Sequence, residues 1–278
     1  MCSSDLKSSE SLYQHCRTNG ARFYFKNRMQ SRIESPIYID NRSEGDKMKF
    51  LVIDVETTGL DVSNDDVIEF YGLAVGEGEA DSLHLYVKSS KDSTEQALKK
   101  HGLAKENLEK LSTESQKDSL TRISSFMISH NGSLLVGQNL AFDLSIIGCN
   151  LHRHQVMHNC AEFVRSFNCF DTMYADKMLK PNKRGKHDLH TLADEYGTKI
   201  KPDHSAKNDV FATWQIAMIQ ITKMNKNAGR SLTAKELNDN VKKFALEDQE
   251  SLNRWLVSTD QQTRPVGWPY YETHNFTK

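Results

Sequence analysis

The sequence predicts an α/β protein built on a mixed five-stranded sheet with helices on its faces. Three apolar stretches of strand length follow one another, at residues 49–56, 67–76 and 82–88. Two further strands, at residues 134–137 and 168–171, are each followed by a helical pattern. Strands joined by short turns pair antiparallel, whereas alternating helices and strands build parallel pairs. The element order therefore predicts three antiparallel strands followed by parallel ones.

Local signals support each element. The run from Leu51 to Val55 is apolar, and Gly76, Gly78 and neighbouring acids suit the turn of a hairpin between the second and third strands. Gly197 is placed to end a helix that carries leucines on one side. The predicted helical regions are 94–129, 142–156, 172–179, 188–196 and 205–224.

Both ends of the chain are predicted to be extensions of one domain spanning residues 48–225. Residues 1–47 are polar, lack sustained periodicity and are expected to be partly ordered. Residues 226–278 contain a capping-like helix start at 231–236, a second amphipathic stretch through Trp255, and an aromatic tail. We favour a helix packed on the domain; the alternative is a surface that binds a protein partner or a nucleic-acid strand.

Composition bounds the class of protein. With 278 residues, 37% hydrophobic and 26% charged, the chain can bury one full-sized core and resembles ordinary globular proteins. No stretch approaches the ~20 apolar residues that a membrane span needs, and the polar start does not favour a secretory signal. Five scattered cysteines favour free thiols. We therefore expect a protein without membrane contact in the cytoplasm or another reducing compartment.

Charge gives a weaker signal. A formal net charge of −1 does not favour extensive contact with a phosphate backbone, although an enzyme that grips one strand end needs few such contacts. One local basic patch is either a phosphate-binding loop or an ordinary solvated loop. Its members are Lys177, Lys180, Lys183, Arg184 and Lys186.

Two acids at the end of the first strand indicate a metal site. Residues i and i+2 of a strand point to the same face, so Asp54 and Glu56 project side by side. Adjacent carboxylates repel each other, and a divalent cation between them removes that repulsion. The alternative is a half-exposed strand end with solvated acids.

Further segments carry acids at comparable positions. Residues 134–143 run from a strand through a polar turn to Asp143, which opens a helix, and residues 204–209 place His204 and Asp209 at the start of another. With the helix at residues 187–197, these segments resemble the DEDDh exonucleases, the family of the proofreading epsilon subunit of bacterial replicative DNA polymerases. The resemblance covers residues 49 to about 222.

The resemblance extends to smaller features and shows one departure. Lys100-His101-Gly102-Leu103 matches a segment that is expected to precede the first helix. The spacing from His204 to Asp209 is that of the histidine branch of the family. Gln138 stands where the family usually has a histidine, and its amide can still donate a hydrogen bond.

The resemblance implies a ribonuclease-H-like fold and a two-metal 3′–5′ exonuclease that releases nucleoside 5′-monophosphates from DNA or RNA. It implies that two Mg²⁺ or Mn²⁺ ions are bridged by Asp54 and that His204 acts as general base. The implied metal ligands are Asp54, Glu56, Asp143 and Asp209. The alternative is an inactive exonuclease fold that serves as a nucleic-acid-binding or scaffold protein.

The resemblance also implies a pocket for a free 3′ end, with single-stranded or frayed ends preferred. The turn after the first strand would hold the 3′ sugar, and Leu60 would lie against the last base. Phe142 would offer a second apolar surface or, with about equal weight, be a core residue. The implied substrate-binding residues are Thr57, Thr58, Gly59, Leu60, Gln138, Asn139 and Phe142.

A second group of metal-ligand side chains competes with the carboxylates. It contains residue types that bind zinc, at close spacing, although the predicted helix over 142–156 places some of them on different faces. We favour satisfied or solvent-facing side chains over a structural zinc site. The group consists of Cys149, His152, His154, His158 and Cys160.

Overall fold

A computed structural model describes residues 48–76, 78–198 and 205–272 of the chain. Its sheet has five strands in the order β3-β2-β1-β4-β5. The pairs β3–β2 and β2–β1 are antiparallel, whereas β1–β4 and β4–β5 are parallel. The predicted mixed sheet is therefore confirmed. The strands are β1 Phe50–Thr57, β2 Val67–Gly76, β3 Glu79–Tyr86, β4 Leu134–Gly137 and β5 Asn168–Asp171.

Helices cover both faces of the sheet. Among the described residues they are α1 Glu95–His101, α2 Lys105–Leu111, α3 Gln116–Ser129, α4 Leu140–Arg153, α5 Cys160–Arg165, α6 Thr172–Leu179, α7 Leu189–Tyr196, α8 Ala206–Ala228 and α9 Ala234–Ser258.

Several predicted boundaries are wrong for identifiable reasons. The helical region 94–129 is three helices, because Gly102 adopts a left-handed conformation with φ 71° and ends α1. The segment Lys100-His101-Gly102-Leu103 thus lies at the end of α1, not before the first helix. Strand β3 begins three residues earlier than predicted, since Glu79 pairs with Gly76 across a tight hairpin.

The core lies around β1, whose apolar side chains are fully or nearly fully buried. Helix α8 packs across β1, β2 and β4, and its buried residues include Val210 and Ala217. Residues that follow the predicted domain pack into the same core, among them Leu237 and Val241 of α9. None of the helices in the described ranges is long and apolar enough to cross a membrane.

The C-terminal segment covers the outer strand β5. Helix α9 is one helix where two amphipathic stretches were expected, and Thr233 and Glu236 form the capping box that starts it. The Asn238 side-chain oxygen accepts hydrogen bonds from the Cys169 backbone N–H at 2.9 Å and from Trp268 Nε1 at 3.2 Å. These bonds satisfy part of the exposed edge of β5 and fix α9 against it. The expectation for residues 1–47 lies outside the described residues.

Candidate metal centre

Strand β1 places two carboxylates at the middle of the sheet. Asp54 and Glu56 stand one strand repeat apart, and the pairing register with β2 shifts directly after Glu56. Asp209 approaches from the first turn of α8, which packs on β1. One oxygen from each of these three residues lies within 4.8 Å of the others. We call Asp54, Glu56, Asp209 and the neighbouring Asp143 the carboxylate cluster.

Asp143 joins this cluster from the first turn of α4. The turn before the helix is held by Asp171 of β5, whose carboxylate accepts the backbone N–H of Asn139 at 3.2 Å and of Leu140 at 2.8 Å. This bond pair replaces the cap that Asn139, with φ 60°, does not provide. Asp143 is buried and exerts the largest repulsion on Asp54 of the neighbouring charges, although its oxygens lie outside the 4.8 Å group.

Burial and mutual repulsion make the cluster electrostatically unfavourable in the absence of a cation. Burial raises the pKa of Asp54 well above its usual value, and repulsion from Asp143, Asp209 and Glu56 raises it further. The pKa of Asp143 is likewise raised well above normal by burial and by Asp171. Burial raises the pKa of Asp209 to about 6.

Unpartnered oxygens show that the cluster fits a hard divalent cation. Asp54 Oδ2 and Asp209 Oδ1 are buried and have no hydrogen-bond partner among the described residues. A buried charged oxygen without a partner is costly, and a bound metal ion satisfies it. An all-oxygen donor set suits Mg²⁺ or Mn²⁺.

Lysine and histidine from α1 border the cluster, and the sequence alone assigned them no role. Lys100 Nζ lies 3.2 Å from Glu56 Oε2. His101 accepts the Leu103 backbone N–H on Nδ1 at 2.9 Å, and its Nε2 is buried. Burial lowers the pKa of His101. The sequence did offer a signal for them, because both lie in the segment Lys100-His101-Gly102-Leu103, which resembles the exonucleases.

The turn after β1 explains which of its groups are accessible. The Thr57 hydroxyl donates to the Gly59 carbonyl at 2.7 Å, and the Thr58 hydroxyl donates to Asp65 Oδ1 at 3.0 Å. A Cβ on Gly59 would meet Asp65 Oδ2 at 2.4 Å, so a larger residue here would displace the Asp65 carboxylate that holds the loop. Leu60, by contrast, is 74% exposed. Leu60 is thus the exposed part of the turn, whereas Thr57, Thr58 and Gly59 are buried.

Gln138 and Phe142, which were expected to bind substrate near Asp143, have different surroundings. Gln138 Nε2 donates to the His187 carbonyl at 2.8 Å, and its Oε1 accepts the Thr172 hydroxyl. The Gln138 amide therefore connects the first residue of α6 with the segment that precedes α7. Phe142 is half-buried against the main core, so it serves packing and retains an exposed edge.

The basic patch is largely neutralised. Lys180 and Lys183 both contact Asp176 and Glu195, and Lys177 contacts Asp248 at 2.7 Å. These three lysines are already paired with acids, which argues against the phosphate-binding interpretation of the patch. Arg184 and Lys186 of the same loop are exposed.

The cysteine and histidine group does not form a zinc site. Within the described ranges, the one set of three or more potential ligands that converges on a cation-sized space is Asp54, Glu56 and Asp209. Burial raises the pKa of Cys149 to about 11 and that of Cys160 to about 11, so both are neutral thiols at pH 7 without a metal ion. His204, the expected general base, lies outside the described residues.

The mixed sheet and the carboxylate cluster agree with the match of this chain to an exonuclease family. A family model described as exonuclease matches residues 51–217, and the chain belongs to this family, RNase_T.

Relatives and solved structures agree with this assignment. The chain is 25% identical to the PolC-type DNA polymerase III of Lacticaseibacillus paracasei over 69% of its own length and 12% of that protein. It is 26% identical to the corresponding Clostridium perfringens polymerase over 76% of its length and 14% of that protein. The chain thus matches a small part of these polymerases.

Among solved structures, the fold is similar to that of E. coli Exonuclease I in complex with a dT13 oligonucleotide, with a TM-score of 0.53 and 19% identity. That match covers 65% of this chain and 42% of the other. Exonuclease I from Methylocaldum szegediense gives a TM-score of 0.54 at 19% identity, covering 73% and 45% of the two chains.

Proposed function

We propose that this protein is a metal-dependent 3′–5′ exonuclease that removes nucleoside 5′-monophosphates from a free 3′ end of DNA or RNA. The observation that carries the proposal is the carboxylate cluster, in which buried acids face one another with unpartnered oxygens. A protein that used the fold only as a scaffold would have no need to maintain this repulsion. Membership of the exonuclease family and the match to part of PolC-type DNA polymerase III support the reaction class.

Asp54, Glu56, Asp143 and Asp209 would hold the metal ions. Two divalent cations bound there would activate a water molecule and stabilise the departing 3′ oxygen. The charges of Asp143, Asp209 and Glu56 all act on Asp54, which supports the proposal that Asp54 would contact both ions. The carboxylates contribute charge and position, because their strand and helix ends are fixed by the core.

His204 is proposed to take the proton of the attacking water. It lies two residues before α8 begins, and Asp209 occupies the first turn of that helix. Its residue type titrates near neutral pH, as a general base requires.

The 3′-terminal nucleotide is proposed to lie on the turn Thr57–Leu60. Exposed Leu60 would contact the last base, the exposed edge of Phe142 would offer a second apolar surface, and the backbone around Gly59 would face the sugar. Gln138 and Asn139 would act by positioning the turn that carries Asp143. A pocket of this kind takes an unpaired nucleotide, so single-stranded or frayed ends would be preferred. Exonuclease I crystallised with dT13 is consistent with this choice.

The test offers linear and circular forms of one single-stranded oligonucleotide, in DNA and in RNA, with Mn²⁺ or with EDTA. The proposal expects mononucleotide release from the linear form, none from the circle and none in EDTA. Rapid loss of the circle would show endonucleolytic cutting and contradict the proposal. Binding without release from any linear form would favour the scaffold alternative.

A further inference from the structure

Lys100 lies beside the proposed metal ligands, although the helix that carries it, α1, is exposed. Its ammonium lies 3.2 Å from Oε2 and 3.4 Å from Oε1 of Glu56, so it contacts both oxygens of one carboxylate. Within the described part of the chain, Lys100 is the one hydrogen-bond partner of the Glu56 carboxylate. A cation therefore already neutralises this edge of the carboxylate cluster.

The exposed position of Lys100 allows its ammonium group to move away from Glu56. Helix α1 buries none of its residues, and the Lys100 side chain is 52% exposed despite its contact with buried Glu56. The helix is tied to the site by the Thr94 backbone N–H, which donates to the Thr58 carbonyl at 2.8 Å. A long side chain on such a helix can turn into solvent without disturbing the core.

Its charge acts on the whole cluster. Lys100 opposes the raised pKa of Asp54, Asp143 and Asp209, although burial and mutual repulsion outweigh it in each case. One ammonium thus offsets part of the repulsion among four carboxylates when no divalent ion is bound.

We propose that Lys100 is a built-in counter-cation that holds Glu56 in the metal-free protein and must leave Glu56 before a divalent cation binds there. The inference rests on the metal site of the proposed function. It assigns Lys100 a positioning role with two opposite effects. The lysine stabilises the metal-free fold, and it competes with the metal ion for the same carboxylate.

The experiment compares Lys100→Met with Lys99→Met in the full chain. Methionine keeps the unbranched apolar stem and removes the charge. Lys99 is the matched control, because it neighbours Lys100 on the same exposed helix and instead pairs with Glu95 at 2.7 Å. Mn²⁺ binding is measured by isothermal titration calorimetry, and thermal unfolding is followed in EDTA and at saturating Mn²⁺.

We expect Lys100→Met to tighten Mn²⁺ binding on the order of fivefold, the size of one partly exposed ion pair. It should also lower the unfolding temperature in EDTA, and the difference should shrink at saturating Mn²⁺. Lys99→Met should change neither quantity, which excludes a general effect of net charge.

Mn²⁺ binding that is unchanged or weakened in Lys100→Met, or an EDTA unfolding temperature that does not fall, would overturn the inference while leaving the proposed function intact. If the wild-type protein itself bound no Mn²⁺, the proposed metal site and the inference would both fail.

Discussion

Two aspartates with buried carboxylate oxygens, Asp54 and Asp176, have opposite surroundings. Asp176 of α6 is completely enclosed, and its carboxylate contacts Lys180 and Lys183 and accepts a hydrogen bond from the Tyr196 hydroxyl at 2.8 Å. Burial acts to raise its pKa, but these bonds and one from the side chain of His187 lower it to about 2. Asp54 faces other acids instead, and its pKa is raised.

The difference distinguishes structural charge from functional charge. A buried carboxylate with a full set of donors stabilises the arrangement of the elements that carry those donors. A buried carboxylate among other carboxylates opposes folding unless a cation binds, so its presence indicates a ligand. Asp176 thus fixes the loop between α6 and α7, whereas Asp54 marks the proposed metal centre.

The strongest way to break this comparison is to neutralise Asp54. We expect Asp54→Asn to lower the rate of mononucleotide release by at least about a thousandfold, because a lost metal ligand removes several kcal/mol of transition-state stabilisation. The same change should raise the unfolding temperature in EDTA, since it removes repulsion. Full activity of the purified variant would contradict the assignment.

Replacing the proposed base would sharpen the account of the cluster. His204→Ala should lower turnover by about 10²–10⁴-fold, the usual contribution of a general base. Calorimetric Mn²⁺ affinity should stay at the wild-type value, because a base acts in the transition state. Loss of Mn²⁺ binding would instead make His204 a ligand.

The structural member of the pair should respond in the opposite sense. Asp176→Asn should lower the free energy of unfolding by about 3 kcal/mol, because it removes the buried carboxylate that Lys180 and Lys183 share and leaves both lysines to Glu195. Chemical denaturation measures this loss. Asp194→Asn, an exposed carboxylate on α7, is the control and should change stability little. Equal stability of the two variants would show that the Asp176 contacts are not structural.

The pH dependence of stability separates the two regions by sign. In EDTA, a carboxyl whose folded pKa is raised takes up its proton first in the folded state, so Asp209 should add stability as pH falls below about 6. Asp176, with a lowered pKa, contributes stability above pH ~4 that is lost as pH falls towards 2.

Between pH 7 and pH 5 we expect a gain on the order of 1 kcal/mol in metal-free protein, measured by denaturant titration. Asp209→Asn should reduce this gain, and Asp176→Asn should leave it in place. A wild-type stability that falls over this range would contradict the raised pKa of the cluster.

Much of the fold was predictable because its signals are local. Short windows of sequence show the apolar run of β1 and the i, i+2 spacing of Asp54 and Glu56. They also show that helices and strands alternate from β4 onwards. Helix α5 was missed, since a helix of six residues carries no usable periodicity. The split of region 94–129 depended on the conformation of Gly102.

The unpredicted parts of the site depend on contacts between distant residues. Lys100 meets Glu56 across 44 positions, and Lys177 meets Asp248 across 71. No local pattern reveals whether a lysine in a loop will find an acid, so the patch around Lys180 was open to both interpretations. The requirement for Gly59 likewise depends on Asp65, which only the folded loop brings close.

The most direct measurement is an anomalous difference map from crystals soaked in Mn²⁺. The account predicts Mn²⁺ peaks beside the carboxylates of Asp54 and Asp209, and none beside Asp176, whose carboxylate is fully buried. Absence of manganese at Asp54, or a peak at Cys149 and His152 instead, would contradict the claim that the carboxylate cluster is the metal centre.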